Sequence, residues 1–393
     1  MILTAKQEEG LKVAVERYRA GEKWTTIAGY AGSGKSTLIK FIISALDVDP
    51  EEVCYVAYTG KAATVLKSKG CKNAVTAHKL LYHARQMPDG SFKYKKKDSI
   101  DYKIVVVDEV SMLPLPMWNT LLNHQCYILA MGDPGQLPPV DKDTDNHVLD
   151  NPHVFLDEIM RQAQDSEIIR LSMWVREGKP LAQFPCENNQ VQIFDKSQVV
   201  SGMYNWADQI LCATNAKRNE INNFVRQQRG FGSQPEPGDK IISLHNHWDD
   251  ISMYGDWTLT NGSIGTISTY SIENVRVPRY INDSPITYMY TSMDLEDGDW
   301  FFELPIDYKA LTTGEAALTP RQSYLMKKNM NIMRDPPYDF AYAYAITYHK
   351  SQGSEWDKVL VFEEGFPFNV EEHRRWLYTA ITRAKEKLVV VRK

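Results

Sequence analysis

Short apolar runs without strict alternation recur along the chain of 393 residues. They are rich in β-branched residues, a pattern that is typical of strands buried on both faces of a parallel sheet. The runs with this character are residues 24–28, 53–58, 104–107, 127–131, 210–213, 359–362 and 388–391. Segments of helical periodicity alternate with them, for example residues 36–46 and 371–384. The pattern therefore predicts an α/β protein with one parallel sheet in each half of the chain.

Two regions interrupt this rhythm. Residues 82–100 carry Asp89-Gly90 between short polar and aromatic arms, which predicts a β-hairpin. Residues 231–335 are rich in strand and turn signals, which predicts a small antiparallel barrel. We expect a first α/β domain at residues 1–155, with the hairpin inserted at about 82–100. The second α/β domain then covers residues 156–230 and 336–393, with the barrel at 231–335 inserted in it.

The composition is that of an ordinary globular protein, with 43% hydrophobic and 24% charged residues. The apolar runs are shorter than the roughly 18 residues that a membrane span needs, and the first residues do not resemble a secretory signal. The five cysteines are scattered without a Cys-x-x-Cys pair, which predicts free, mostly buried thiols and a cytoplasmic location. The net charge of −5 argues weakly against nucleic-acid binding, although a local basic groove is sufficient to bind a single strand.

The first candidate site is the sequence Gly29-Tyr30-Ala31-Gly32-Ser33-Gly34-Lys35-Ser36, which fits the P-loop pattern G-x-x-x-x-G-K-S/T. It follows a predicted strand and opens a predicted helix, whereas a chance glycine-rich turn would need neither flank. The glycines allow backbone N–H groups to wrap phosphates at the start of a helix. Lys35 is then expected to reach the β- and γ-phosphates of ATP, and Ser36 is expected to bind Mg²⁺.

Polar side chains also follow the neighbouring predicted strands. Asp108 and Glu109 end the apolar run 104–107, where Asp108 is expected to hold Mg²⁺ and Glu109 to polarise the attacking water. Gln136 follows another strand, and Thr59-Gly60-Lys61 follows a third. Ligands of open α/β sheets bind at the carboxyl ends of strands, so these motifs are expected to lie on one edge of one sheet. The alternative for the acidic pair is a solvated turn, which the P-loop in the same domain disfavours.

Arg383 is the candidate cation of the second half. On the predicted last helix, Trp376, Ala380 and Arg383 are spaced i, i+4, i+7, so Arg383 continues the apolar stripe and needs an anionic partner such as ATP phosphate. The alternative is a surface arginine at a helix end. The sequence His245-x-His247-x-Asp249 resembles a metal-binding triplet, but we interpret it as an ordinary loop of the predicted barrel.

Taken together, these motifs resemble those of superfamily 1 helicases of the RecD/Dda type, and the resemblance covers nearly the whole chain. Leu3-Thr4-x-x-Gln7 is similar to the adenine-recognising Q motif of that family. The motifs numbered I to VI in the family follow in order, at residues 29–36, 59–63 with 76–78, 108–112, 132–140, 161, 347–355 and 378–385.

The resemblance implies two RecA-like domains that close on ATP, a hairpin insertion in the first and an SH3-like barrel in the second. It implies a helicase that moves 5′-to-3′ on single-stranded DNA. The catalytic residues implied in this chain are Lys35, Asp108, Glu109, Gln136, Arg161 and Arg383, with Ser36 and Asp108 on Mg²⁺. The ATP-binding residues are Gln7, Gly29, Gly32, Gly34, Lys35, Ser36, Thr37, Gly353 and Glu355. The DNA-binding residues implied are Thr59, Lys61, His78, Thr347, His349 and Lys350. Phe92 is a further DNA-binding candidate because it is the aromatic residue nearest the Asp89-Gly90 turn, where the hairpin would separate the strands. The alternative is an ordinary solvated loop with a basic run.

Other functions stay open at this point. An RNA translocase is one alternative, because contacts to the backbone of a single strand do not by themselves distinguish RNA from DNA. A non-motor P-loop protein is another, although it would need neither Arg383 nor a second α/β domain. The expected partners are single-stranded DNA, its junctions with duplex, and a single-strand-binding or replication protein, but not a membrane. The chain ends two residues after its last apolar run, which favours a compact monomer without an appended domain.

Overall fold

The fold is taken from a computed structural model, which describes residues 3–87, 92–138, 144–158, 165–255, 258–296, 298–329, 334–365 and 369–393, without the side chains of residues 84, 86, 92, 248 and 249. The chain forms two compact units. The first consists of Met1–Leu81, Lys96–Ala213 and Thr347–Lys393. The second consists of Tyr82–Lys95 and Thr214–Ile346.

The strands are numbered here in chain order. They are β1 Trp24–Gly29, β2 Val53–Ala57, β3 Ala74–Thr76, β4 Tyr82–Gln86, β5 Phe92–Lys96, β6 Ile104–Val107, β7 Tyr127–Gly132, β8 Val154–Leu156, β9 Val191–Asp195, β10 Gln209–Cys212, β11 Lys240–Ser243, β12 His247–Ile251, β13 Thr258–Leu259, β14 Ile264–Val275, β15 Ile286–Asp294, β16 Trp300–Asp307, β17 Phe340–Tyr342, β18 Ala345–Thr347, β19 Trp356–Phe362 and β20 Ala384–Arg392. The α-helices of the described residues are Ala5–Arg19, Lys35–Leu46, Gly60–Ser68, Ala77–Leu81, Leu115–Leu122, Glu167–Arg176, Ser201–Trp206, Asn215–Gln228, Tyr308–Thr313, Pro320–Lys328, Tyr348–Ser351 and Val370–Ile381.

The first sheet has six strands in the order β3-β2-β6-β7-β1-β8, and every adjacent pair is parallel. Its central strands are buried on both faces, as their unbroken apolar runs predict. Helices Ala5–Arg19 and Lys35–Leu46 supply apolar side chains such as Ala14 and Leu38 to the same core. Because the strands are parallel, β1, β2, β6 and β7 all end at one edge of the sheet, which confirms the expected arrangement of the motifs that follow them.

The second sheet follows the same plan in the C-terminal half. Its strands lie in the order β18-β10-β19-β20-β9, and the three pairs from β10 to β9 are parallel. The prediction of a helix over 371–384 is wrong at its end. The helix stops at Ile381, and Ala384 already begins β20. The carbonyl oxygen of Arg383 accepts a hydrogen bond from the Trp356 N–H at 2.9 Å, so this stretch is drawn into the sheet although Lys385, Glu386 and Lys387 give its sequence a helical appearance.

The second unit is built around a five-stranded sheet in the order β16-β15-β14-β11-β17, in which all neighbours are antiparallel. This unit extends beyond the barrel predicted at 231–335, because helix Asn215–Gln228 packs within it. Asn222 on that helix donates to the carbonyl oxygens of Tyr342 at 2.9 Å and Ala345 at 3.2 Å. Strands β4 and β5 form a separate two-stranded sheet at the predicted hairpin, whose Asp89-Gly90 turn lies outside the described residues.

The cysteines, the possible membrane spans and the possible metal ligands were also considered in the sequence predictions. Cys54, Cys126 and Cys212 are buried free thiols, as expected. None of the helices that the structure describes is long and apolar enough to span a membrane. The described part of the chain contains no cluster of three or more His, Cys, Asp or Glu side chains suited to a metal ion. The loop predicted for His245-x-His247-x-Asp249 is wrong in part, because His247 begins β12. The His247 ring is stacked on Tyr338, with ring centroids 3.6 Å apart.

Candidate functional site

The P-loop connects the end of β1 to helix Lys35–Leu46. Gly32 and Gly34 adopt φ angles of 78° and 79°, a left-handed conformation that glycine adopts without strain. The loop therefore wraps in front of the first turn of the helix, where backbone N–H groups and the helix dipole favour an anion. Thr37 is half-buried on this turn, and Ser36 is exposed.

Lys35 lies folded over this loop. Its Nζ donates to the carbonyl oxygens of Gly29 at 2.6 Å and Tyr30 at 3.0 Å. Burial lowers the pKa of the Lys35 ammonium, while the carboxylates of Asp133, Asp108 and Glu109 oppose that shift. A cation held by two carbonyls and surrounded by carboxylates can exchange those contacts for phosphate oxygens.

The acidic pair follows β6 directly. Burial raises the pKa of Asp108, although the Glu109 N–H donates to its Oδ1 at 3.0 Å. Burial also raises the pKa of Glu109, and the Arg383 cation opposes that rise. Glu109 has a φ of 49°, a conformation that costs on the order of 1–3 kcal/mol in a residue other than glycine. Its Oε2 is buried and has no hydrogen-bond partner among the described residues. A strained, desolvated carboxylate with a free oxygen is suited to binding a water molecule or a cation.

Arg383 lies at the same place, although it belongs to the second sheet. Only 4% of its surface is exposed. Its guanidinium donates to Thr379 O at 3.1 Å, to Ser354 O at 3.4 Å and to Thr382 Oγ1 at 3.2 Å. The Glu109 carboxylate is 3.9 Å from Arg383 Nη1. Arg383 is therefore a buried cation rather than a surface arginine, even though it lies beyond the helix end.

Two neighbouring polar atoms also have spare bonding capacity. Gln352 Nε2 and Ser354 Oγ are buried and find no hydrogen-bond partner in the part of the chain that the structure describes. Together with Glu109 Oε2 they belong to segments that contain or contact Arg383. Buried polar groups are almost always satisfied in folded proteins, so the unsatisfied Oε2 of Glu109, whose other oxygen is 3.9 Å from Arg383, is suited to a polar ligand.

Other predicted nucleotide residues occupy different positions. Gln7 is 1% exposed, its Nε2 donates to Ser33 O at 3.1 Å, and its Oε1 accepts from the Thr4 N–H at 3.0 Å. It thus joins the capping box of the first helix to the P-loop. Gln136 is half-buried in the turn after β7, and Glu355 is exposed. Arg161 lies outside the described residues.

Gly353 lies against the motif that follows β2. It has a φ of 75°, and a Cβ added to it would lie 2.7 Å from the Ala62 Cβ, so both conformation and space require glycine. Lys61 Nζ lies 5.2 Å from the centre of the Trp356 ring. The structure therefore brings residues 59–63 of the first half next to residues 347–356 of the second.

The predicted DNA-binding residues that lie in these two segments are half-buried. Thr59 caps helix Gly60–Ser68, with its Oγ1 accepting from the Ala62 N–H at 3.2 Å. Thr347 ends β18, and His349 and Lys350 follow it in the short helix Tyr348–Ser351. Burial lowers the pKa of both His78 and His349, which favours the neutral imidazole. Phe92 belongs to β5, and its side chain lies outside the described residues.

Two family models and several known proteins match this chain. Residues 3–196 match the family model described as an AAA domain, and residues 342–391 match the UvrD-like helicase C-terminal domain. The ATP-dependent RecD2 DNA helicase of Deinococcus radiodurans is 25% identical over 94% of this chain and 47% of its own length. The ATP-dependent DNA helicase dda of Enterobacteria phage T4 is 30% identical over 35% of this chain and 33% of its own length.

These matches all point to a superfamily 1 helicase of the RecD/Dda type. This chain spans half or less of the length of the two curated relatives given above. The structure of Pif1 helicase from Bacteroides, in complex with ADP-AlF3 and ssDNA, matches 99% of this chain and 92% of its own, with a TM-score of 0.57 and 18% identity. Pif1 helicase from Candida albicans matches with a TM-score of 0.54. These likenesses confirm the α/β fold with parallel sheets in the manner of two RecA-like domains.

The sequence did not single out three residues that contact the P-loop or a segment next to it, namely Tyr378, Asp133 and Arg176. Tyr378 and Asp133 are 1% and 2% exposed and hydrogen-bonded to each other. The Arg176 guanidinium lies 3.6 Å above the Tyr30 ring. Asp133 and Tyr378 lie within the motifs at 132–140 and 378–385, but the sequence assigned neither of them a role. Only their position within recognised motifs could have singled them out.

Proposed function

We propose that this chain is an ATP-dependent helicase that translocates 5′-to-3′ on single-stranded DNA and unwinds duplex ahead of it. The observation that carries the proposal is that the charged groups of Lys35, Glu109 and Arg383 lie close enough to interact. The Oε2 atom of Glu109 is buried and has no hydrogen-bond partner among the described residues. Lys35 and Glu109 lie in segments that follow strands β1 and β6 of the first sheet, whereas Arg383 directly precedes strand β20 of the second sheet. A site assembled from both sheets can couple the chemistry of one ligand to their relative movement.

In this proposal the phosphates of ATP are bound by the P-loop backbone at Gly29, Gly32 and Gly34, by Thr37, and by Lys35 after it leaves its two carbonyls. Ser36 and Asp108 offer the hydroxyl and carboxylate oxygens that suit Mg²⁺, whose charge would neutralise the phosphate oxygens when bound. Glu109 orients the attacking water and accepts its proton, and Arg383 stabilises the charge that develops on the transferred group. By resemblance, Arg161 acts with Arg383, Gln136 relays the state of the γ-phosphate, and Gly353 and Glu355 lie near the ribose.

Gln7 is the residue whose proposed role the geometry modifies. The resemblance assigns it to adenine recognition, but both ends of its amide are engaged within the chain. Contact with adenine requires the amide to leave Ser33 or the helix cap. Gln7 therefore supports the P-loop directly in this conformation.

Single-stranded DNA is proposed to run along the two adjacent segments that contain Thr59 and Lys61 on one side and Thr347, His349 and Lys350 on the other, with His78 nearby. Gly353 lies against Ala62, so these segments are in contact although they belong to different sheets. A shift between the sheets would therefore move one set of DNA contacts relative to the other. That coupling supports translocation rather than simple binding.

Duplexes with a single-stranded tail test this function directly. We expect unwinding of a DNA duplex that carries a 5′ tail, in the presence of ATP and Mg²⁺, and little unwinding of the same duplex with a 3′ tail. Matched RNA duplexes should remain paired. Unwinding from 3′ tails would reverse the proposed polarity, unwinding of RNA would favour the RNA translocase, and ATP hydrolysis without any unwinding would leave a translocase or switch instead of a helicase.

The hairpin of β4 and β5 is proposed to be the pin that separates the strands, with Phe92 stacking on the last base pair. Base–aromatic stacking is worth about 1–3 kcal/mol per base, enough to stop the duplex from following the pulled strand. Tyr94 is 47% exposed, and Lys93, Lys95 and Lys96 on the same arm are exposed cations that suit phosphate.

We expect Phe92→Ala to lower unwinding sharply while DNA-stimulated ATP hydrolysis stays nearly intact. Phe302→Ala, which removes a 60% exposed phenylalanine elsewhere, is the matched control and should change neither activity. Survival of both activities in Phe92→Ala would show that Phe92 is not the wedge, and loss of both would show that the hairpin supports the fold or the DNA path.

A further inference from the structure

A single hydroxyl group joins three segments of the candidate nucleotide site. Tyr378 Oη donates to Asp133 Oδ2 at 2.7 Å and accepts a hydrogen bond from the Ala31 N–H at 2.9 Å. The other oxygen of Asp133 accepts from the Gly135 N–H at 2.8 Å. Ala31 belongs to the P-loop, Asp133 to the turn after β7, and Tyr378 to helix Val370–Ile381 of the C-terminal half.

The hydrogen bond that joins Tyr378 to Asp133 is buried, and the one that joins Tyr378 to the Ala31 N–H is partly buried. Tyr378 is 1% exposed and Asp133 is 2% exposed. Burial, reinforced by the negative charge of Asp133, raises the pKa of the Tyr378 phenol, so the hydroxyl stays protonated and able to donate. Hydrogen bonds to a charged acceptor in a desolvated site are among the stronger ones, and they hold their partners in a defined geometry.

Each joined segment carries a residue proposed to act in hydrolysis. Lys35 follows Ala31 in the P-loop, Gln136 follows Asp133, and Arg383 follows the helix that bears Tyr378. A second contact holds the same part of the P-loop, because Arg176 lies 3.6 Å above the ring of Tyr30, the residue before Ala31. Residues 30 and 31 are thus held by the side chains of Arg176 and Tyr378.

We propose that Tyr378 and Asp133 are positioning residues that hold the P-loop and Arg383 in the relative placement needed for hydrolysis. The inference rests on the proposed ATPase activity. The hydroxyl bonds to backbone and carboxylate within the chain, so it acts through Lys35 and Arg383 rather than on the nucleotide. Loss of the link leaves the phosphate-binding N–H groups in place but loosens the alignment of Arg383 with the P-loop. The rate constant of hydrolysis should therefore fall, with little change in KM for ATP.

The test is a double-mutant cycle of Tyr378→Phe, Asp133→Asn and the double variant in the full chain. ATP hydrolysis is measured with saturating single-stranded DNA. Each single variant should lower kcat about 10-fold, which is the loss expected for one hydrogen bond to a charged group, and should change KM for ATP less than twofold. The double variant should be no slower than the slower single variant, because both substitutions break the same link.

Tyr344→Phe is a matched control. Its hydroxyl donates to another buried carboxylate, Asp239 Oδ1, at 2.9 Å in the second unit. It should lower the thermal unfolding temperature by an amount similar to Tyr378→Phe but leave kcat unchanged. Equal kcat values for Tyr378→Phe and the wild-type chain would overturn the inference and leave Tyr378 with a structural role alone, as would additive losses in the double variant. A wild-type chain without ATPase activity would instead contradict the proposed function, and this inference with it.

Discussion

Two buried arginines of this protein differ in how completely their charge is neutralised. Arg226, in the second unit, is 6% exposed, and Arg383, in the first, is 4% exposed. Arg226 donates from Nε to Asp239 Oδ1 at 2.9 Å and from Nη2 to Asp239 Oδ2 at 3.1 Å. Asp239 in turn accepts from the Glu236 N–H at 2.8 Å and from the Tyr344 hydroxyl at 2.9 Å. This pair is a closed unit with no capacity left for a ligand charge.

Arg383 has a looser arrangement. Its hydrogen bonds go to uncharged oxygens, and its nearest carboxylate oxygen, Glu109 Oε1, is 3.9 Å away. The other oxygen of Glu109 is buried without a partner among the described residues. Burying charge is costly, and a chain that folds with such a pair incompletely satisfied retains a site where a ligand can complete it. Spare bonding capacity, rather than burial, thus distinguishes the Arg383–Glu109 pair, which we propose to act in hydrolysis, from the Arg226–Asp239 pair.

The largest effect is expected from Arg383→Ala, which should lower ATP turnover by a factor of about 10³ to 10⁵, as for arginines that complete phosphoryl-transfer sites. Binding of ATP, measured by titration calorimetry, should be retained. Lys35→Ala should weaken binding as well as turnover. Lys385→Ala, two residues from Arg383 and half-exposed, is the matched control and should stay close to wild type. Turnover near the wild-type rate in Arg383→Ala would show that its spare capacity is not used in hydrolysis.

Arg226→Ala should have the opposite effects, with a large loss of stability and little change in ATP turnover. Removing this arginine leaves Asp239 buried and unpaired, which costs on the order of 3–5 kcal/mol of stability. Denaturant unfolding followed by tryptophan fluorescence would measure that loss, whereas turnover per folded molecule should change little. The comparison between the two arginines would fail if Arg383→Ala destabilised the protein as much as Arg226→Ala does.

Glu167 extends the comparison to carboxylates. It is fully buried, and its two oxygens accept from the N–H groups of Glu187, Asn188, Gln190 and Val191. Burial raises its pKa, but these backbone hydrogen bonds outweigh that effect and lower the pKa overall. Its stabilising contribution is thus fully present above the ordinary glutamate pKa and is lost as the pH falls through the lowered folded value.

We therefore expect Glu167→Gln to cost about 1.5–3 kcal/mol at neutral pH, the range for hydrogen bonds to a charged group. Unfolding curves recorded from neutral to acidic pH should converge with those of the wild type at the acidic end. Glu187→Gln alters a side chain that is 60% exposed and serves as the control, with an expected change within about 1 kcal/mol. A constant difference at every pH would argue against an ionised Glu167 in the folded state.

For Glu109 we expect ionisation to have the opposite effect on the stability of the fold. Its folded pKa is raised by burial, so the ionised form weakens the fold, and Glu109→Gln should leave the unfolding midpoint unchanged or slightly higher while turnover is lost. For the same reason the acid limb of the wild-type pH–rate profile should lie above the ordinary glutamate range. Hydrolysis should fall as the pH drops through that raised pKa. An acid limb at the ordinary glutamate pKa would exclude Glu109 as the buried proton acceptor.

Sequence patterns predicted those parts of the fold that depend on local periodicity. The strand at 104–107 and the start of the helix near Ser36 are set by continuous apolar burial and by the P-loop, so their bounds agree with the structure within a residue. The end of the last helix was mispredicted, because only the pairing of Arg383 O with the Trp356 N–H shows that β20 takes over there.

Long-range bonds account for most of what the sequence did not reveal. The Tyr378–Asp133 bond joins residues 245 positions apart, and no periodicity marks either partner. The helix Asn215–Gln228 was assigned to the second α/β domain, yet the bonds of Asn222 to Tyr342 and Ala345 place it in the second unit. The role of Arg161 rests on resemblance and that of Phe92 on its position next to the predicted turn, and both stay predictions.

The most direct test of the account compares the ATP hydrolysis rate of the wild-type chain with and without saturating single-stranded DNA, in one buffer containing Mg²⁺. We propose that Arg383 and Lys35 reach one site from different sheets. A single strand of DNA bound by residues 59–63 and residues 347–356 together should favour their alignment. We expect a hydrolysis rate that rises steeply and saturably with single-stranded DNA. Equal rates in the presence and absence of DNA would contradict it.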